Sequence, residues 1–172
     1  MAKNLLSATD VSMVFGGLKA VADFNMHIKY GELIGLIGPN GAGKTTAFNL
    51  LTGVYHPTTG EILFKDKSIV GLSPYQITAR GIARTFQNIR LFGELSVLDN
   101  VKIAYHTRTK YTVAEAVLRL GRYFKEEREI EEKAMKLLAI FHLEKQAHEL
   151  AKNLPYGAQR RLEIARALAA KP

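Results

Sequence analysis

The sequence predicts an α/β fold with a helical subdomain inserted into it. Three observations carry that expectation: strand-like alternation comes first, helical periodicity comes second, and between them an apolar run opens directly into a glycine-rich turn and a helix-like tract. A chain of 172 residues suits one domain carrying a small insertion and is long enough to bury a sizeable core.

Leu5 to Tyr30 reads as strands. Phe24, Met26, Ile28 and Tyr30 alternate with Asn25, His27 and Lys29, the period of two that a half-buried strand requires. After a Gly31-Glu32 turn, Leu33 to Gly38 is apolar on both faces, the pattern of a buried strand in a parallel sheet. Phe48, Leu50 and Leu51 place a helix from Lys44 onward, stopped by Gly53. His56 to Gly60 reads as a turn and Glu61 to Lys65 as a strand. Ser73 then caps a short helix with Pro74 just inside it, which Gly81 ends before a strand at Ile82 to Phe86.

Beyond Gln87 the pattern becomes helical. Ser96 caps a helix carrying Val97, Val101 and Tyr105, and Ile130, Ala134, Leu137 and Phe141 recur at the spacing of one apolar helix face. A last helix over Arg160 to Ala170 offers Leu162, Ala165 and Leu168 to the core. The expected division is a core over 1–87, a helical subdomain over 88–154 and a segment over 155–172 that returns to the core.

Composition narrows the function. The net charge of +8 is spread along the chain, and the densest charged run, Lys125 to Lys133, mixes both signs. A nucleic-acid binder concentrates Lys and Arg on one stripe with interleaved aromatics, so no nucleic-acid partner is expected. The apolar run Leu33 to Ile37 falls far short of the roughly 18 to 20 residues of a membrane span. The first ten residues carry no apolar core of a signal peptide. With no Cys, disulfides, thiolate metal ligands and a Cys nucleophile are excluded, which fits a reducing compartment. The histidines His27, His56, His106, His142 and His148 stand at no metal-ligand spacing, so no metal is expected beyond Mg²⁺ accompanying a nucleotide.

The chemistry concentrates at Gly38 to Thr45, which matches G-x-x-x-x-G-K-[ST]. Glycines let successive backbone N–H groups turn inward around a polyphosphate, the Lys44 ammonium suits the outer phosphate oxygens, and the Thr45 hydroxyl suits Mg²⁺. The helix that follows adds its positive end. Asn40-Gly41 alone would fit a hairpin turn, but an apolar strand before it and a helix after it argue against one.

Gly38-Pro39-Asn40-Gly41-Ala42-Gly43-Lys44-Thr45-Thr46, then Arg84 to Gln87 (RTFQ), then Leu154 to Leu168 (LPYGAQRRLEIARAL) resemble the Walker A loop, glutamine loop and signature motif of ATP-binding subunits of ABC transporters, in order. The resemblance runs from Leu5 to Pro172. Phe15 to Val21, Arg84 to Val101 and the Y-G-x-Q-R-R-L-E-I-A-R segment resemble the importers of branched-chain amino acids. The long helical tract between Thr107 and Lys133 resembles the larger of that system's two ATPases.

The resemblance implies a fold and a set of roles. The fold is a P-loop NTPase core with a parallel sheet, an antiparallel β subdomain and the inserted helical subdomain. Phe15 stacks on adenine with Val21 beside it, although one aromatic at a strand end also fits a core Phe. Gly38, Pro39, Asn40, Gly41, Ala42, Gly43, Lys44, Thr45 and Thr46 hold the phosphates of ATP, Thr45 and Gln87 reach Mg²⁺, and Gln87 orients the attacking water. Tyr156, Gly157, Ala158 and Gln159 meet the nucleotide of a second ATPase subunit in a head-to-tail dimer. Pro155-Tyr156-Gly157 replaces the commoner Ser-Gly-Gly, and Pro155 supplies neither hydroxyl nor N–H. Arg160, Arg161 and Arg166 fit a solvated or ion-paired helix face better than a phosphate site. The implied partners are membrane permease subunits and, indirectly, a periplasmic or extracellular solute-binding protein, which puts the subunit on the cytoplasmic face of the cell membrane.

In the resembled family an apolar strand ending in Asp-Glu follows a segment like Ala169 to Pro172, and a later histidine contacts the γ-phosphate. None of these occurs within the 172 residues. The expectation is therefore a chain that lacks the C-terminal part of the core, binds ATP at most, and hydrolyses it only as part of a longer protein. Other readings stay open: a urea or polar amino-acid importer, or a nucleotide-binding module that never hydrolyses ATP. A P-loop kinase fits poorly with the LPYGAQ segment.

Overall fold

The computed structural model describes residues 4–106, 109, 115 and 121–172. The chain separates into two compact units, one running to Thr78 and the other beginning at Ala79.

The first unit is built on an antiparallel sheet. Strands β1 (Asn4–Phe15), β2 (Leu18–Lys29), β3 (Thr59–Phe64) and β4 (Lys67–Ser68) lie in the order β2-β1-β3-β4. β1 and β2 form a hairpin closed between Phe15 and Leu18. The pairing Ala8↔Met26 gives way to Val11↔Phe24, so the side that faces inward changes from Leu6 and Ala8 to Val11. Asp10 and Asp23 take left-handed backbone angles at this irregularity, φ 49° and 47°. Their neighbours hold the distortion. Asn25 accepts from the Asp10 N–H at 3.0 Å and donates to the Asp10 carboxylate and the Asp23 carbonyl, while the buried Ser12 hydroxyl accepts from the Asp23 N–H at 2.9 Å. Gly60 of β3 crosses at the same place; a Cβ there would stand 2.4 Å from the Asp10 carbonyl oxygen, so only glycine fits.

Helices α1 (Lys44–Leu51) and α2 (Pro74–Arg80) complete the first set of elements. Leu6, Ala8, Val11, Ala47, Leu50, Ile62, Phe64, Ile69 and Ile77 are buried. The parallel strand expected at Leu33 to Ile37 is not formed. Residues 32–39 are irregular, and Leu33 and Ile37 are 97% and 94% exposed. The reason is pairing: a strand exists through its neighbours, and every paired strand among the described residues is antiparallel and pairs elsewhere. The α/β class stands, while its parallel sheet is absent among the described residues. The strand expected at Ile82 to Phe86 is likewise irregular, for the same reason.

The second unit is helical, with α3 (Val97–His106), α4 (Gly121–Ile140) and α5 (Tyr156–Ala169). Of the tract expected over Thr107 to Lys133, residues 107, 108, 110–114 and 116–120 lie outside the described residues. Ser96 caps α3 as expected, its hydroxyl accepting from the Asp99 N–H at 3.0 Å. The first amides of α3 also find backbone partners: Val97 donates to Glu149 and Leu98 to Ala147, at 2.9 and 2.8 Å.

One core joins these helices, with Val97, Val101, Leu138, Leu143 and Leu162 among its fully buried side chains. Burying each large aliphatic contributes about 1.5–3 kcal/mol. On α4 the inward positions are Ile130, Ala134 and Leu138, and Leu137, with Phe141 just beyond the helix, is partly buried against the core. On α5 the buried stripe is Ala158, Leu162, Ala165 and Ala169, and the expected Leu168 is 45% exposed. A 3.6-residue turn returns to the Leu162 face at 169, not at 168. No helix among the described residues is long and apolar enough to cross a membrane.

Candidate functional site

In the first unit the glycine-rich loop runs from Gly38 into α1. Gly43 precedes the helix with φ 80° and no side-chain cap, and a Cβ at Gly43 would lie 2.4 Å from the Ala20 carbonyl oxygen and 3.3 Å from a Val21 methyl. The loop therefore leans on β2 at Ala20-Val21 so closely that only glycine fits there. Ala47 and Leu50 anchor α1 in the core and turn its N-terminus outward, with Thr45 exposed and Thr46 half-buried. An uncapped N-terminus presents unpaired N–H groups and the positive end of the helix, the arrangement that suits a phosphate. Lys44 curls back over the loop and donates to the carbonyls of Gly38 and Pro39 at 2.7 and 2.6 Å. A phosphate competing for that ammonium offers anionic acceptors in place of two neutral carbonyls.

Val21 meets this loop at Gly43. Phe15 stands at the hairpin end of β1, 40% exposed, with its ring edge-on to Tyr55 at 5.2 Å and an interplanar angle of 76°. Tyr55 follows α1, tied to it by its N–H to the Asn49 carbonyl at 3.2 Å. Sequence reasoning missed Tyr55; an aromatic shortly after the helix-ending Gly53 was the available signal.

In the second unit Gln87 is exposed on an irregular segment whose main chain is held by α5. The fully buried Glu163 accepts from the Phe86 N–H at 3.2 Å and pairs with Arg160 at 2.8 Å. Arg160 also donates to the carbonyls of Phe86, at 2.6 Å, and of Gln87. Arg166 donates to the Arg90 carbonyl. Arg84 and Arg90 lie over the Phe86 ring at 5.0 and 4.6 Å. The hydrogen bonds of Tyr156 and Glu163 raise the Arg160 pKa, whereas burial lowers that of Arg166 against the opposing pull of Glu163. Asn100, fully buried, fixes the far end of the segment by accepting from the Phe92 N–H at 2.9 Å and donating to the carbonyls of Phe92 and Ser96. Of the arginines expected on a solvated or ion-paired face, Arg160 is ion-paired with Glu163, and all three also anchor backbone, Arg161 by donating to the Phe141 carbonyl at 3.0 Å.

At the start of α5, Tyr156 and Gly157 are exposed. Ala158 is buried and its N–H is taken by the Pro155 carbonyl, while the Gln159 amide turns to the Leu154 carbonyl at 2.9 Å. No cluster of metal-ligating side chains occurs among the described residues.

A glycine-rich turn of the form G-x-x-x-x-G-K-T that opens directly into a helix is the mark of the P-loop NTPase class. The family model described as ABC transporter matches residues 21–172, and the chain belongs to that family, one of ATP-hydrolysing enzymes. It is 43% identical over 172 residues to the high-affinity branched-chain amino acid transport ATP-binding protein LivG of Escherichia coli, covering all of this chain and 68% of that protein. The corresponding BraF of Pseudomonas aeruginosa is 40% identical over the same span. Among solved structures, the ADP conformation of MJ1267, an ATP-binding cassette of an ABC transporter, superposes with a TM-score of 0.80 at 30% identity, covering 99% of this chain and 66% of that one. The dimeric post-hydrolysis cassette MJ0796 bound to ADP and Pi gives 0.76 at 26% identity, covering 97% and 70%. This chain therefore spans about two thirds of the length of the proteins it matches.

Proposed function

We propose that this chain belongs to the ATP-binding subunit that energises import of branched-chain amino acids. The observation that carries the reading is the Gly38–Thr46 turn at the start of α1, with Lys44 poised over it, in a chain 43% identical to LivG along its whole length. The residues present fit ATP. The loop backbone and the helix end take the phosphates, Lys44 neutralises them, and Phe15 with Val21 receives the base. The Thr45 hydroxyl suits Mg²⁺, which would supply charge neutralisation on the phosphates when bound, and Gln87 takes the metal- and water-sensing role that the resemblance implies.

Tyr156 and Gly157, exposed at the start of α5, meet the nucleotide held by a second ATPase subunit, and the N–H groups of that helix start take its γ-phosphate. The backbone of Ala158 and Gln159 shapes the same turn. Hydrolysis further needs a water-polarising carboxylate, the role that the resemblance gives to a Glu at the end of an apolar strand. The division at 1–87, 88–154 and 155–172 then separates nucleotide grip, a helical subdomain and the contact made in trans, with permease docking through the segment near Gln87 to Val101. The subunit works on the cytoplasmic face of the membrane against permease subunits, fed by a solute-binding protein.

The test is ATP turnover by the intact transporter reconstituted with its permease. A binding protein loaded with leucine, isoleucine or valine should stimulate turnover, and one loaded with urea or a polar amino acid should not. Stimulation by the latter alone would contradict the substrate assignment. Sedimentation with ATP and hydrolysis blocked should show a dimer; a monomer at high concentration would contradict the shared site.

A further inference from the structure

Gln87 has no secondary structure to hold it. Residues 82–90 form neither helix nor strand, so the main chain that carries the glutamine draws little support from a backbone ladder. Its support comes from three side chains of α5, on the far side of the sequence. Glu163 accepts from the Phe86 N–H, Arg160 donates to the carbonyls of Phe86 and Gln87, and Arg166 donates to the Arg90 carbonyl. Glu163 is the centre of this set because it binds the loop directly and also orients the Arg160 fork at 2.8 Å. It is 2% exposed, and a buried carboxylate is retained only where charge and hydrogen bonds compensate it. An apolar residue would fill the same place on α5 without that cost, so its chemistry is bound up with the loop.

We infer that Glu163 is a positioning residue for Gln87: with Arg160 it locks the glutamine loop to the helix whose exposed start, Tyr156-Gly157, faces the partner's nucleotide. The two groups that meet nucleotide from this unit then move as one body. A shift of α5 carries Gln87 with it, and contact made in trans is read directly by the loop. The catalytic part of this inference rests on the ATPase function proposed above; the mechanical part does not.

The experiment uses the intact subunit with Glu163→Ala, Glu163→Gln and Arg160→Lys. Glu163→Gln keeps an acceptor for the Phe86 N–H but loses the ion pair, and Arg160→Lys keeps the charge while losing the fork that spans two carbonyls. Hydrogen exchange at Phe86 to Arg90 should rise at least about tenfold in Glu163→Ala and less in the two milder variants, with Ala134 to Leu143 unchanged. ATP turnover should fall about ten- to hundredfold in kcat for Glu163→Ala, with partial rescue in Glu163→Gln and KM for ATP within about twofold. A purely structural role would instead raise exchange throughout the helical core. Wild-type exchange at Phe86 to Arg90 in all three variants overturns the inference, as does an unchanged kcat in Glu163→Ala. Should Glu163→Ala fail to fold, Arg160→Lys decides by the same two readouts. If the wild-type protein hydrolyses no ATP, the proposed function fails, and exchange alone then decides whether Glu163 holds the loop.

Discussion

The two units hold their functional segments by opposite means. In the first, the glycine-rich loop is shaped by backbone: Gly43 fits against Ala20 because it lacks a side chain, and the preceding residues 32–39 belong to no strand, with Leu33 and Ile37 in solvent. In the second, an equally irregular segment is shaped by side chains, with Asn100, Arg160, Glu163 and Arg166 reaching its N–H and carbonyl groups from helices packed on a closed core. Irregular backbone must satisfy its polar groups somewhere. A loop built on glycine geometry leaves them open to a ligand, and a loop built on side-chain anchors does not. On the function proposed above, the first unit offers a binding cradle and the second a lever.

The largest effect expected from that contrast is in core packing. Leu162→Ala should destabilise the second unit by about 2–5 kcal/mol, because the side chain is fully buried among the three helices. Leu33→Ala in the 172-residue chain should stay within about 0.5 kcal/mol, as a side chain 97% exposed has little to lose. Denaturant titration of both variants checks this, and equal losses would erase the difference between the units.

Next in size is Asn100→Ala. It strips the partners from the Phe92 N–H and from two carbonyls, and should cost about 1–3 kcal/mol. Exchange at Phe92 to Ser96 should rise with it. Wild-type stability in this variant would mean that the segment holds itself.

Gly43→Ala tests the first unit. A Cβ at φ 80°, 2.4 Å from a carbonyl oxygen, forces the loop off β2, and nucleotide affinity should drop at least about tenfold by calorimetry. Unfolding of the second unit should not change. An unaltered affinity would show that the loop's seat on Ala20-Val21 is dispensable.

The legible part of this molecule was the local part. Gly38 to Thr45 announces itself because its glycines, Lys44 and Thr45 all fall within eight residues, and Ser96 announces α3 because its capping partner Asp99 is three residues on. Leu33 to Ile37 reads as a buried strand because an apolar run looks the same whether or not neighbours are present to pair with it. The role of Glu163 was illegible, since its partner Phe86 lies 77 residues away and nothing in the spacing joins them. Leu168 was mistaken for Ala169 because size drew attention where helical angle decides. Of the four residues expected by motif to meet nucleotide, Tyr156 and Gly157 are exposed, Ala158 is buried and Gln159 turns its amide to the Leu154 carbonyl.

The smallest expected effect is the acid limb of the hairpin irregularity. Hydrogen bonds from Lys19 and Ser12 hold the Asp23 carboxyl below its ordinary value of 3.8. A depressed carboxylate contributes stability that is fully present above the ordinary pKa and lost as pH falls through the lowered one. NMR titration should find the midpoint below 3.8, rising in Lys19→Ala. A midpoint unmoved by Lys19→Ala would remove the ammonium from the account.

The central claim is that Gly38 to Thr46 is a nucleotide cradle whose cation is Lys44. Calorimetric titration of the intact subunit with ATP and Mg²⁺ measures it most directly. The wild-type protein should bind, and Lys44→Ala should lose about ten- to hundredfold in affinity, the loss of charge-assisted bonds worth about 1.5–3 kcal/mol. Unchanged ATP affinity in Lys44→Ala would contradict the assignment.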